Sequence, residues 1–198
     1  MLVIGLTGSI GAGKSSVLAA FGRAGAAIAS ADALVHELYR GEAAGPVGEA
    51  FPGSVVDGVV DRARLAAMVA DNPDALARLE ALVHPMVRAR EAAFRASAAS
   101  AGRRIVVIEL PLLVETGAQR RFDAVMTVEA DEAIRRQRTA SRPGMSEAKF
   151  TALAARQATD TDRRRFAHVV IDNGGTPDET NDQVAAVVRA FATVVFAR

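Results

Sequence analysis

At 198 residues the chain suits one α/β domain carrying inserted subdomains, and half of its residues are hydrophobic, enough for a sizeable core. A net charge of +1 gives no overall pull toward nucleic acid or a membrane surface, and the lack of cysteine excludes disulfides and thiolate metal sites. No apolar run approaches the roughly 20 residues that span a bilayer: the longest, residues 105–114, is broken by Glu109 and Pro111. Met1-Leu-Val-Ile lacks a basic leader, which predicts a soluble, cytoplasmic protein. Of the 24 basic residues only Lys14 and Lys149 are lysine. With the heavy use of alanine, this marks a compositional drift in which arginines as a class say little and Lys14 stands out.

Taken in chain order, Leu2-Val3-Ile4 predicts a buried strand and residues 16–21 a helix, with Val17, Ala20 and Phe21 on one face. Between them Gly8-Ser-Ile-Gly-Ala-Gly-Lys-Ser15 fits G-x-x-x-x-G-K-[ST]. Backbone N–H groups of such a loop and the helix N-terminus form an anion site, which glycines let the chain approach closely. Lys14 then reaches the β- and γ-phosphates and the Ser15 hydroxyl ligates Mg²⁺. The plain alternative is a chance glycine turn before a helix.

Residues 26–29 predict a weak strand ending at Ser30-Ala31-Asp32, and 33–39 a helix. Residues 41–58, with two prolines and five glycines, predict loop. Asp61 can cap a helix through 69; Asp71-Asn72-Pro73 starts another to about 83, and His84-Pro85 is expected to break or kink the chain before a further helix to about 100. Strands follow at 104–108, closing on Glu109, and at 122–128; helices are expected at 131–141 and 146–157, with a Pro143-Gly144 turn between them. Residues 168–171 form the last strand, closing on Asp172-Asn-Gly-Gly175. A final helix over 178–197 aligns Val184, Val187, Val188, Phe191, Val194 and Val195 in a stripe suited to packing on a sheet. Five short strands alternating with helices predict an α/β fold, a parallel sheet covered on both faces. The long excursion between the second and third strands predicts a helical insertion for a second substrate.

Ligands of such sheets bind beyond the carboxyl ends of the strands. Asp32 and Glu109 fall there and can hold a metal-bound water or take a proton from an attacking hydroxyl. Against this, Asp32 can simply cap the helix over 33–39, and Glu109 can be a solvated strand end. Arg138 and Arg142, four apart, can face one way over the phosphates, where an arginine finger is worth roughly 10³–10⁵ in rate. With Arg135 and Arg136 they can equally form a solvated basic face, which the arginine drift favours.

Together these residues resemble the dephospho-coenzyme A kinase family over almost the whole chain. Ile4-Gly-Leu-Thr-Gly-Ser-Ile-Gly-Ala-Gly-Lys-Ser-Ser16 is similar to its opening loop, Ser30-Ala-Asp-Ala-Leu-Val-His-Glu-Leu38 to its Asp-Ala-Asp segment, and Leu79-Glu-Ala-Leu-Val-His-Pro85 to its Leu-Glu…His-Pro segment. Glu109-Leu-Pro-Leu-Leu-Val-Glu115, Arg138-Thr-Ala-Ser-Arg142, Gln157 and Val170-Ile-Asp-Asn-Gly174 resemble later motifs in the same order. The resemblance implies a three-layer P-loop kinase fold, with core 1–58, 102–137 and 158–198, an acceptor-binding insertion at about 59–101 and a lid at about 138–157. It implies transfer of phosphate from ATP, with Mg²⁺, to the 3′-hydroxyl of dephospho-coenzyme A, with no nucleic acid or membrane partner. By the same resemblance Gly11, Ala12, Gly13, Lys14, Ser15 and Ser16 contact ATP and Asn173 lies near its adenine. Asp32 is the base; Asp32, His84 and Glu109 face the acceptor, and Arg138 and Arg142 close from the lid.

Three positions depart from the family pattern. Ser30 replaces the first aspartate, Glu109 replaces aspartate, and Pro143-Gly144 stands where acidic residues are common. None removes an element that phosphoryl transfer requires. The rival readings are another small-molecule or nucleoside monophosphate kinase and a nucleotide-dependent switch. A guanine-nucleotide switch needs an Asn-Lys-x-Asp motif, and neither lysine supplies one.

Overall fold

A computed structural model describes residues 1–195, and the chain divides into two compact units, Met1–Ala29 with Ala98–Arg198, and Ser30–Ser97. In chain order the elements are β1 (Leu2–Gly8), α1 (Lys14–Arg23), β2 (Ala27–Ser30), α2 (Ala31–Tyr39), α3 (Ala44–Ala50), β3 (Val55–Val56), β4 (Val59–Val60), α4 (Arg62–Val69) and α5 (Pro73–Ser100). Then come β5 (Ile105–Glu109), a 3₁₀ turn (Ala118–Arg121), β6 (Ala124–Glu129), α6 (Glu132–Ala140), α7 (Glu147–Ala155), α8 (Asp160–Phe166), β7 (Val169–Asp172) and α9 (Pro177–Val195).

The first unit is built on a five-stranded parallel sheet of order β2-β5-β1-β6-β7. Its three inner strands are buried almost end to end and read as continuous apolar runs, as strands covered on both faces must; the edge strands β2 and β7 are only half-buried. The pleat sorts side chains by face. Ala124, Met126 and Val128 of β6 join Ile4, Leu6, Ile105 and Val107 under α1 and α9, while Val125 faces Leu113 and Ala118. From α9, Val184, Val187, Val188 and Phe191 take part in that packing as the stripe predicts. The expected helix end at Ala197 and the side chains of Val194 and Val195 lie outside the described residues. A capping box fixes the start of α9: Thr176 Oγ1 accepts from the Glu179 N–H (3.3 Å), and Glu179 Oε2 accepts from the Thr176 N–H (2.7 Å).

The second unit packs α2, α3, α4 and the first part of α5 around Leu38, Val47, Phe51, Leu65, Leu79, Val83 and Val87. Asp61 caps α4 as expected, accepting from the Ala63 and Arg64 N–H groups. The break expected at His84-Pro85 is absent: α5 is one helix of 28 residues with Pro85 inside it. Proline removes the bond to the Ala81 carbonyl, a cost of about 3 kcal/mol in an isolated helix. Here Val83 and Val87 flank the proline at i and i+4 and are both buried in one cluster, so packing keeps the helix continuous through it. The stretch expected as loop, 41–58, contains α3 and most of a β3–β4 hairpin, whose Asp57-Gly58 turn has φ of 50° and 76°. Asp-Gly between paired valines is a two-residue hairpin signal. No helix among the described residues is long and apolar enough to cross a membrane.

Candidate active site

β1 delivers the loop from the middle of the sheet. Gly11 and Gly13 adopt left-handed conformations, φ 79° and 88°. A Cβ on Gly11 would run into the backbone of Arg135, and one on Gly13 into the side-chain amide of Asn173, so both positions require glycine. Gly13 is the N-cap of α1, and no acidic residue in the first turn competes for the positive end of that helix. Lys14 Nζ donates to the carbonyls of Gly8 (3.0 Å) and Ser9 (3.3 Å), which keeps the ammonium over the loop. Ser15 and Ser16 are exposed at the head of the helix, Ser16 Oγ donating to the Gly13 carbonyl (2.7 Å).

Several predicted residues of this unit converge on the loop. Asn173, just past β7, is buried; its Nδ2 donates to the Ala12 carbonyl (2.7 Å), and its Oδ1 accepts from Thr180 Oγ1 (2.8 Å). The amide is therefore locked in one orientation beneath the loop. Arg138 of α6 reaches the same carbonyl with Nη1 (3.5 Å). Arg142 lies beyond the end of α6, exposed in the following turn, so it does not extend a helical face with Arg138. Arg136 is tied to Glu132 and Glu147 and stacks over Phe150 (4.7 Å), fastening α6 to α7. Glu109 ends β5 in register with Leu6 and is 7% exposed, which removes the solvated-end reading.

Asp32 and His84 belong to the second unit. The helix expected to begin at Ala33 begins at Ala31 with Ser30 as N-cap, so Asp32 is not the cap. It stands in the first turn, exposed, where a carboxylate favours the helix dipole. His84 is exposed on α5, its carbonyl accepting from Arg88 Nε (3.4 Å), and His36 is half-buried in the last turn of α2.

Four side chains at the loop escaped the sequence reading: Ser9, Glu115, Asp160 and Arg163. Ser9 Oγ donates to Asp160 Oδ1 (3.0 Å), Arg163 Nη2 donates to both of them, and Arg163 Nη1 lies 3.7 Å from Glu115 Oε1. The only advance signal was the i, i+3 spacing of Asp160 and Arg163 behind the Thr159 cap, hidden in a run of three arginines. Burial pushes the Asp160 carboxyl up, but hydrogen bonds from Arg163 and Ser9 and the charges of Arg163 and Arg135 outweigh it and hold it below the usual carboxylate range. A depressed folded-state value means stability present above the unfolded pKa of about 3.9 and lost as pH falls through the folded one. Asp160→Asn should lower the melting temperature at pH 7, by an amount equivalent to about 1–2 kcal/mol. Melting curves of both proteins at pH 7 and pH 3 check this, since the gap should close in acid; a gap independent of pH would mean that the charge of Asp160 contributes nothing.

The dephospho-CoA kinase family model matches residues 2–179. A dephospho-CoA kinase of Mesorhizobium japonicum is 48% identical over 188 residues, covering 95% of each chain. The crystal structure of a Thermus thermophilus protein superposes with TM-score 0.84 at 32% identity over 96% of each chain. A dephospho-CoA kinase from Campylobacter jejuni shares the fold (TM-score 0.66, 20% identity, 96% of each chain). The match begins at the strand before the phosphate loop, runs through both units and reaches the capping box of α9: the chain belongs to the dephospho-CoA kinase family.

Proposed function

We propose that the chain transfers the γ-phosphoryl group of ATP to the ribose 3′-hydroxyl of dephospho-coenzyme A, giving ADP and coenzyme A, the last step in making that cofactor. The observation that carries this reading is the family match over residues 2–179, because a phosphate loop alone is common to many kinases. The bond from the γ-phosphorus to the bridging oxygen breaks as the bond to the 3′-oxygen forms. Asp32 takes the hydroxyl proton. Lys14 and the N–H groups from Gly11 to Ser16 hold the β- and γ-phosphates, and Arg138 and Arg142 meet the charge spread over the transferring group. Asn173 lies at the adenine end, and Glu109, His84 and the helices of about 59–101 help to receive the acceptor. Residues of about 138–157 act as a lid. ATP and dephospho-coenzyme A are the small-molecule partners and the cytoplasm is the setting.

Mg²⁺ fits the donor set. Ser15 offers an exposed hydroxyl beside Lys14, and among the described residues no three His, Asp or Glu side chains form a cage. One protein oxygen completed by phosphate oxygens is how this cation is commonly bound in kinases. When bound, it neutralises charge on the β- and γ-phosphates.

Purified protein with Mg·ATP should convert dephospho-coenzyme A to coenzyme A, followed by chromatography, and should be nearly silent without acceptor. Turnover with AMP but not with dephospho-coenzyme A would remove the acceptor assignment and leave a kinase. Slow, acceptor-independent hydrolysis alone would point to a switch.

A further inference from the structure

The phosphate loop is gripped from behind by polar groups. Its first two residues after Gly8 are held one by one: Ser9 Oγ by Asp160 and Arg163, and the Ile10 N–H by Gln157 Oε1 (2.7 Å). Arg163 is the centre of this grip. It is 1% exposed, among the largest fully buried side chains of the protein, and its guanidinium meets the loop, Asp160 of its own helix and Glu115. Glu115 in turn accepts the Ala158 N–H (2.7 Å), which fixes the turn carrying Gln157.

A guanidinium taken out of water is costly even when paired, and an apolar side chain of similar volume often stabilises as well or better. Bulk packing is therefore a poor reason for an arginine here. Beside the cluster lies a cleft of about 400 Å³ lined by Ser9, Arg135, Phe150, Gln157, Asp160 and Arg163. The back of the loop at Ser9 thus borders open space, and hydrogen bonds set its backbone direction there.

We infer that Arg163 is a positioning residue for phosphoryl transfer: with Asp160 and Gln157 it fixes Ser9 and Ile10, so that the loop's N–H groups already point at the triphosphate before it arrives. The inference rests on the phosphate-loop reading given above and adds a residue that does not touch nucleotide. A preorganised cradle gains affinity by having no ordering left to do, so loosening it should weaken ATP while sparing the acceptor.

Arg163→Lys keeps the charge and loses the planar fork. It should raise KM for ATP and the Kd of a non-hydrolysable ATP analogue about tenfold, as expected for losing one charge-assisted hydrogen bond. KM for dephospho-coenzyme A should stay within about twofold, since the acceptor does not rely on the loop's ordering. Ser9→Ala removes only the hydroxyl and should shift ATP in the same direction by a smaller factor. The double variant should be no worse than Arg163→Lys alone, because both changes cut one network. A lowered melting temperature with unchanged nucleotide affinity would make Arg163 a stability residue only and overturn the inference, as would equal losses for both substrates. Should Arg163→Lys not fold, unaltered ATP binding by Ser9→Ala overturns it equally. Failure of the wild-type protein to bind the analogue is a separate result, counting against the phosphate loop itself.

Discussion

Asp32→Asn is expected to lower turnover by about 10²–10⁴, the usual worth of a positioned general base, while ATP binding stays close to wild type. The substitution isolates the proton-accepting role. Asparagine matches aspartate in shape, and because Ser30 rather than Asp32 is the N-cap of α2, the helix start does not depend on the carboxylate. What the fold loses is a charge in the first turn of a helix, worth about 0.3–1 kcal/mol at the surface. A large fall in kcat with little change in melting temperature is the expected pattern. Near-normal kcat would return Asp32 to a purely structural role, and equal loss of kcat and stability would mean that the helix had been damaged instead.

Lys14→Ala is expected to reduce kcat/KM for ATP by about 10²–10³, comparable to removing one oriented group that meets charge developing in a transition state. The lysine sits at the head of α1 with its ammonium already turned over the loop by the Gly8 and Ser9 carbonyls, so the charge is pre-placed. Lys14→Arg keeps that charge and should not restore the rate, since a planar guanidinium cannot sit as a compact point charge against the same two carbonyls. Steady-state kinetics with ATP varied at saturating acceptor reads both variants. Full turnover and undiminished ATP affinity in Lys14→Ala would contradict the phosphate-loop reading outright.

How much of this was legible in the sequence depends on how local each signal is. The strand, loop and helix of residues 2–21 could be read because pattern, glycine spacing and amphipathic period lie within about two dozen residues. The Asp61 cap was readable for the same reason. Pro85 did not break the helix, although its local penalty is real, because the burial of Val83 and Val87 offsets it. The Asp57-Gly58 turn was legible but sat in a stretch whose other glycines and prolines spoke for loop. At the site, lysine scarcity singled out Lys14, whereas arginine abundance concealed Arg163 among Arg164 and Arg165. Its partners Ser9 and Glu115 come from distant parts of the chain, and no periodicity reports such a meeting. Helical spacing does not link Arg138 to Arg142, for a plain reason: α6 ends at Ala140.

The place of β1 in the sheet has a consequence for the chain as it is made. Of the five strands of this sheet the central one is made before the others, and its partners begin only at Ile105 and Ala124. At roughly 5–20 residues per second, Leu2–Gly8 waits on the order of 5–20 s with both edges unpaired, an apolar and β-prone segment exposed to other chains. The loop behind it waits longer, since Ser9 and Asp160 are 151 residues apart and Ala12 and Asn173 are 161. The second unit, Ser30–Ser97, is continuous in sequence and can fold meanwhile. The contacts that hold the loop are thus completed long after the loop itself has been synthesised.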